Sequence, residues 1–494
     1  MKKLYYTILA TAAALTTASC VDLLNTAPEN QIASENMWTT PELALKGMNG
    51  LYETFYNRKQ SNGTQVRSEN LDGLNKYGIE ALGFCTDYYA NNYPIYLLYN
   101  QAKRANDWQL AHEWKFCYTI VHACNDAITN LHKAGLDAQT YERYLCEARF
   151  LRAWAYSRLN KFWQGVPVYL EPISNEQCTR TQESAEYVWR EVVLPDLKYC
   201  IDNASFPDNT LGESNFGRPS KGAAYALRGM AYMWLKEYSL ADQTIEKMKN
   251  DASFMALETD ISTWKKMFAE ELNNKASDNT PENDEYSTKE FIFIVHFNMD
   301  EVGTNGYSYM YQWFTGSGNR AAVMSPALLA KYDQEKDLRF PLVTKNYQSG
   351  WEMRKYISGD ISSTLNRTCE VGYPIYRYSD MILLQAEAQA RQSKWEEALD
   401  LVKPIRTRAG LETPSAADFA DEEELVDFIL DERQRELVGE GRRWFDLVRT
   451  GRWKSVMGPI NGCQEDGNEL FPIHFSHLDQ NKKLVQNSYY ATSK

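Results

Sequence analysis

The sequence predicts a mainly α-helical protein built on tetratricopeptide-like helix pairs, with one irregular, loop-rich insertion that contains minor β structure. Two observations carry this. Apolar residues recur at three- and four-residue steps on both sides of the chain's middle, and between about 251 and 373 that period gives way to Asn, Ser, Gly and aromatics. Helix signals dominate before and after the insertion, which predicts a single domain over 20–494 whose loops meet on one side.

The clearest helix runs over about 140–163, where Tyr141, Leu145, Ala148, Leu151, Ala155, Leu159 and Phe162 form one stripe before Gly165, Val166 and Pro167 stop it. Another starts after Pro219 with Ala224, Leu227, Ala231 and Leu235, and a partner follows through Ala241, Ile245 and Met248. Tyr232, Tyr238 and Ala241 fall where the second half of a tetratricopeptide repeat keeps two aromatics and a small residue that lets helices approach. Trp395 and Ala398 repeat the last two places after a helix over about 380–392. The turn glycine of such repeats is missing, replaced by Lys236 and Ser393, so the pairs are degenerate and predict a scaffold, not a regular solenoid. Inside the insertion, Phe291 to Val295 reads as a strand and the acidic, polar stretch 273–288 as an exposed loop.

The first residues predict the compartment. Lys2 and Lys3 precede a short apolar run and the small residues Thr17, Ala18 and Ser19, which together read as a signal peptide over 1–19. Cys20 follows directly, where bacterial lipoprotein processing lipidates the thiol; a Leu in place of Thr17 would fit that signal better. A run of roughly a dozen apolar residues is too short to span a bilayer. The expectation is a folded body held to a membrane by acyl chains.

Without residues 1–19 the chain carries 51 basic and 66 acidic residues, net −15 with His neutral, which argues against nucleic acid as a partner. The remaining cysteines show no Cys-x-x-Cys pair, and Cys117, Cys124 and Cys146 suit small buried side chains. Neither His-Glu-x-x-His, Gly-x-Ser-x-Gly nor a phosphate loop occurs, so no metal or cofactor is expected and no catalytic residue is assigned.

Glu432 and Glu436 are the pair that an acid/base mechanism would use. At roughly 100° per residue they fall within about 20° of the stripe that Leu425 and Ile429 define, so both should point inward. Arginines such as Arg152, Arg377, Arg406, Arg442 and Arg443 would then meet buried carboxylates and fix how helices join. That reading is structural.

Two segments have the make-up of a ligand site, namely exposed rings for stacking among amide and carboxylate side chains for hydrogen bonds. The segment 83–108 supplies Asp87, Tyr89, Asn92, Tyr96 and Trp108. In 307–313 an aromatic recurs at every second residue, so an extended chain would show Tyr309 and Trp313 on one face. For any one of these rings, packing in the core is the competing reading.

Several segments together resemble the SusD/RagB family. They begin with Cys20-Val21-Asp22-Leu23-Leu24 and Asn36-Met37-Trp38-Thr39-Thr40, and continue with Glu147-Ala148-Arg149-Phe150-Leu151-Arg152-Ala153 and Pro219-Ser220-Lys221-Gly222-Ala223-Ala224. The C-terminal third matches best, through Arg377-Tyr378-Ser379-Asp380, Ile405-Arg406-Thr407-Arg408-Ala409-Gly410, Glu432-Arg433-Gln434-Arg435-Glu436-Leu437 and Gly441-Arg442-Arg443-Trp444-Phe445-Asp446-Leu447. At the end, Ser488 and Tyr489 stand where the family prefers Pro-Gly. The resemblance implies a helical fold with tetratricopeptide-like pairs, a lipoprotein on the outer face of the outer membrane, and a SusC-like TonB-dependent transporter as partner. Its usual cargo is oligosaccharide, with peptides for some members. The expected function is therefore capture of a nutrient glycan and its delivery to that transporter, without covalent chemistry. Peptide capture, a surface glycosidase and a helical-repeat adaptor are the alternatives.

Overall fold

The computed structural model describes residues 37–53, 87, 89–90, 108–174, 177–209, 217–251, 256–268, 288–295, 323–347, 350–355, 373–461 and 466–491. The signal peptide, Cys20, most of 83–108, the stretch 273–287 and the segment 307–313 lie outside the described residues. Thirteen helices of six or more residues are described. They are α1 (Pro41–Glu53), α2 (Trp108–Asn130), α3 (Ala138–Trp163), α4 (Leu194–Asp202), α5 (Lys221–Trp234), α6 (Tyr238–Asp251) and α7 (Ile261–Lys266), then α8 (Tyr378–Ala390), α9 (Trp395–Arg408), α10 (Glu422–Glu436), α11 (Arg443–Arg449), α12 (Trp453–Asn461) and α13 (Phe475–Gln480). The mainly α class expected from the sequence is what the structure shows.

Local chemistry sets the helix ends. The Asp137 carboxylate accepts from Thr140 N to cap α3, and Gln164, at φ 48°, closes its other end in the left-handed conformation. Gly165 follows at φ 131°, and a Cβ there would lie 2.9 Å from the Glu183 carbonyl, so the chain can turn there only without a side chain. Ser220 caps α5 and Asp421 caps α10 in the same way as Asp137.

The helix pairs pack as the small residues allow. Ala241 is fully buried between α5 and α6, and a Cβ on Gly229 would come 2.9 Å from Ile245, so these backbones approach closely. Lys236 and Ser393, which replace the turn glycines, sit at φ 58° and 61°. Each still completes a tight helix end, with Glu237 N bonded to Tyr232 O and Lys394 N to Gln389 O. The pair α5/α6 stacks on α8/α9 although the insertion separates them in sequence. Asp242 of α6 joins them, accepting from Gln385 (3.0 Å) and Gln389 (3.1 Å) of α8 and from Lys394 (3.0 Å).

Two apolar clusters result. The larger one unites α2, α3 and α5 with Trp444, Phe471 and strand residues; the smaller is built from α8, α9 and α10, including Leu383, Val402, Leu425 and Ile429. Helix α8 belongs to both, since Met381 and Leu384 face the first and Ile382 and Ala386 the second, so it is buried on nearly every side. Cys117, Cys124 and Cys146 are buried and free, as their settings suggested.

Six strands complete the description. In the insertion lie β2 (Phe291–Val295), β3 (Val323–Met324), β4 (Thr344–Tyr347) and β5 (Gly350–Met353); β1 (Tyr89–Ala90) precedes it and β6 (Tyr373–Arg377) closes it. The FIFIV run is a strand, β2, paired antiparallel with β6 and buried along most of its length. The other four form one sheet in the order β1-β3-β5-β4.

Candidate functional site

Three places in the molecule combine polar chemistry with a defined setting. The first is the charged interior at the end of α10. Glu432 and Glu436, one helical turn apart, are both fully buried, as their place on the apolar stripe predicted. Glu432 accepts from Arg339 (2.7 Å), Arg406 (2.8 Å) and Arg435 (2.6 Å). Glu436 accepts from Arg408 (2.6 Å), Arg339 (3.1 Å), Arg377 (3.2 Å) and the Trp264 indole (2.9 Å).

The lattice continues through Glu290, held by Arg377 and Arg408, and Glu440, held by Arg377 and Lys355. Burial by itself would raise the carboxyls of Glu432 and Glu436, but the surrounding guanidinium groups outweigh it and hold both well below the usual carboxylate range. Carboxylates so fully paired join the segments that carry their arginines. Of the arginines expected here, Arg377 and Arg406 arrive. Arg152 instead pairs with Asp196, Arg442 with Asp380 and Arg443 with Asp87. Arg339, Lys355, Glu290 and Glu440 were not anticipated, because their partners in the lattice lie 63 to 118 residues away and leave no spacing signal.

The second place is the root of the two aromatic segments. Strands β1 and β3 pair antiparallel, Tyr89 opposite Met324 and Ala90 opposite Val323. The segment that carries Asn92 and Tyr96 therefore leaves from the same sheet edge at which the segment carrying Tyr309 and Trp313 arrives. Asp87 fixes this junction from below. It is 4 % exposed; its carboxylate accepts from Arg443 Nε and Nη2 at 2.9 Å each and from Gln434 at 3.2 Å, while Ser325 Oγ donates to its carbonyl. Those bonds commit Asp87 to anchoring the junction, which separates it from the other predicted ligand residues. Ser325 also caps the short turn Pro326–Leu329, so the chain after β3 is held as firmly as the chain before β1. Tyr89 is placed by its backbone in β1, and Trp108 is the first residue of α2. Asn92, Tyr96, Tyr309 and Trp313 lie outside the described residues, as does Cys20.

The third place is a groove of about 630 Å³ between the first turns of α2, the chain after Gly165, and α13. Trp114, Tyr118 and Tyr169 form its apolar wall, with His477 stacked on Trp114 at 5.5 Å between ring centroids. The Tyr118 hydroxyl donates to Pro167 O (2.7 Å), and Asn125 donates to Tyr169 O (2.9 Å), so the wall is preorganised. Burial brings His477 down to about 4, with His474 and Lys115 adding repulsion, so its imidazole is neutral at physiological pH. Nothing in the sequence singled out Trp114 or Tyr118, because rings at helical spacing have the same pattern whether they face a core or a groove. Among the described residues no group of His, Cys, Asp and Glu is placed to hold a metal ion, and no helix is long and apolar enough to cross a membrane.

The described chain is thus a scaffold of helix pairs in which β1 and β3 join two distant stretches of sequence and the most conspicuous charges lie in the interior. Comparison with known proteins agrees with that architecture. A family model described as the SusD family matches residues 310–490, and another, described as starch-binding associating with outer membrane, matches residues 29–233. The chain belongs to the SusD/RagB family. A SusD-like protein of Formosa agariphila is 28% identical, the match covering 96% of each chain. Among solved structures, a laminarin-binding SusD-like protein superimposes with a TM-score of 0.70 at 20% identity, covering 92% of this chain and 100% of that one. A SusD-like carbohydrate-binding protein from Bacteroides fragilis does so with a TM-score of 0.74 at 16% identity, covering 91% and 100%. At these identities the structural likeness establishes the fold.

Proposed function

We propose that this protein captures an oligosaccharide through the two aromatic segments that adjoin the β1–β3 pair in sequence, and passes it to a SusC-like transporter while held at the outer membrane, facing outward, through a lipidated Cys20. The observation that carries the reading is the pairing of Tyr89 with Met324 and of Ala90 with Val323, because it roots two ring-rich segments, more than 200 residues apart in sequence, at one place. Tyr89, Asn92, Tyr96, Trp108, Tyr309 and Trp313 are the residues that would stack on sugar faces and bond hydroxyls there. The buried anchor at Asp87 supports this, since a binding loop gains affinity when its base is already ordered. Solved relatives described as laminarin-binding and carbohydrate-binding share the fold, and the family model's description names starch and the outer membrane.

The reaction is binding without bond cleavage. A panel of soluble glycans incubated with the purified protein should be depleted by capture without new reducing ends; release of reducing ends would make it a glycosidase. Calorimetry with peptides but not glycans giving heat would replace the cargo. Trp313→Ala should weaken glycan binding by ~1–3 kcal/mol if its ring is a stacking platform. Unchanged affinity in the folded variant would move the site away from 307–313.

A further inference from the structure

Lys161, in the last turn of α3, is 7 % exposed and lies among cations. Its ammonium sits 3.5 Å from the Met230 sulfur and 5.2 Å from the centroid of the Phe445 ring. No oxygen among the described residues accepts from it. It opens on a small, partly open cavity of about 30 Å³ that Arg158, Arg442, Tyr373 and Tyr376 also wall.

The carboxylates around this cavity are already engaged. Glu113 is bonded to Arg158 (3.1 Å to Nη2), and Asp380 lies between Arg442 (2.9 Å) and Arg433 (2.8 Å). Glu440, the next acid, is held by Lys355 and Arg377. Three cations thus face one space, and no acid is among the residues that line it. Burial, with Arg442 and Arg158 adding repulsion, draws its ammonium down to about 7, while Asp380 opposes this. A buried ammonium with only a sulfur and a ring for company is costly, and a water would satisfy its N–H bonds without balancing its charge.

We infer that this cavity is a binding site for one small monovalent anion of the chloride class, which serves as counter-ion to Lys161 and completes the junction of α3 with β6 and the chain before α11. The volume has room for a single water or halide. The site is separate from the sheet edge at Tyr89, so its test does not depend on any ligand of the loops.

The test compares thermal unfolding of the wild-type protein and of Lys161→Met in sodium chloride and in sodium gluconate at equal ionic strength. Wild type should gain a saturable rise of about 2 °C in chloride that the variant lacks. Crystals grown with bromide should show anomalous density within hydrogen-bond distance of the Lys161 ammonium. Equal melting temperatures in the two salts, or a bromide-free cavity holding water only, would overturn the assignment. Should Lys161→Met fail to fold, the bromide experiment on wild type decides alone.

Discussion

The two ends of α10 carry the same kinds of charge in opposite settings. At its start Glu423 and Asp427, with 60% and 62% of their side chains exposed, meet Arg391 and Arg452, which are themselves largely covered. Three turns on, Glu432 and Glu436 are wholly enclosed by Arg339, Arg377, Arg406, Arg408 and Arg435. Coulomb attraction to an exposed carboxylate is screened and opposed by side-chain entropy, whereas an enclosed charge that loses one partner is left without water to replace it. The comparison teaches that an acidic and basic run in this sequence has no fixed worth; the neighbours that burial supplies decide it.

The difference can be broken at the buried end first. Glu436→Gln should cost about 3–5 kcal/mol, because Arg408, Arg377 and Arg339 would keep their charges without the carboxylate that answers them. Glu432→Gln should follow it in direction. Chemical denaturation reads both, and ligand affinity of the folded fraction should stay unchanged; a stable variant that had lost binding would return these carboxylates to the functional site.

Acid titration separates two further contributions. The folded pKa of His477 is about 4 against an ordinary value near 6.5, so the unfolded chain takes up a proton first and stability falls as pH drops from about 6.5 to 4, by roughly 3 kcal/mol at most. Glu432 and Glu436 are held far below the ordinary glutamate value of about 4.3, so their share is intact above that value and is lost as pH falls further. His477→Gln should remove the decline above pH 4 and leave the lower one. A variant with the wild-type profile in the upper window would place that titration elsewhere.

At the exposed end, Arg452→Ala should change stability by no more than about 1 kcal/mol, and added salt should shrink even that. A cost above 2 kcal/mol would show that the surface network acts as the interior does. The smallest expected effect lies at the helix-pair turns. Lys236 holds a left-handed conformation at φ 58°, so Lys236→Gly should raise the unfolding free energy by about 0.5–1 kcal/mol. A loss instead would mean that the lysine side chain contributes more than its backbone costs.

Much of the helical frame was legible. The stripe through Leu145, Leu151 and Leu159, the stop at Gly165, and the paired positions Ala241 and Ala398 rest on local rules of periodicity and capping, and the helices appear where those rules put them. The inward direction of Glu432 and Glu436 followed from angle alone. Their partners did not, because Arg339 comes from the insertion and reaches Glu432 across 93 residues. The groove at Trp114 was equally silent, since a helix stripe looks the same whether it faces a core or a cavity.

For the candidate ligand residues the division is sharper. Composition marked the two aromatic segments but gave no reason for β1, within the first, to pair with β3, which follows the second in sequence. Asp87 shows why such marking is incomplete: as a residue type it suits sugar hydroxyls, yet its carboxylate is closed in by Arg443 and Gln434, 356 and 347 residues away.

The sequence by itself therefore determined the helices, their ends and the family motifs, all of which depend on residues within a few turns of one another. Only the tertiary structure decided that β1 pairs with β3, that Asp87 anchors and does not reach out, and that Lys161 faces a cavity without a carboxylate. Each of those depends on which distant side chains share a space once water is excluded, and no local pattern records that.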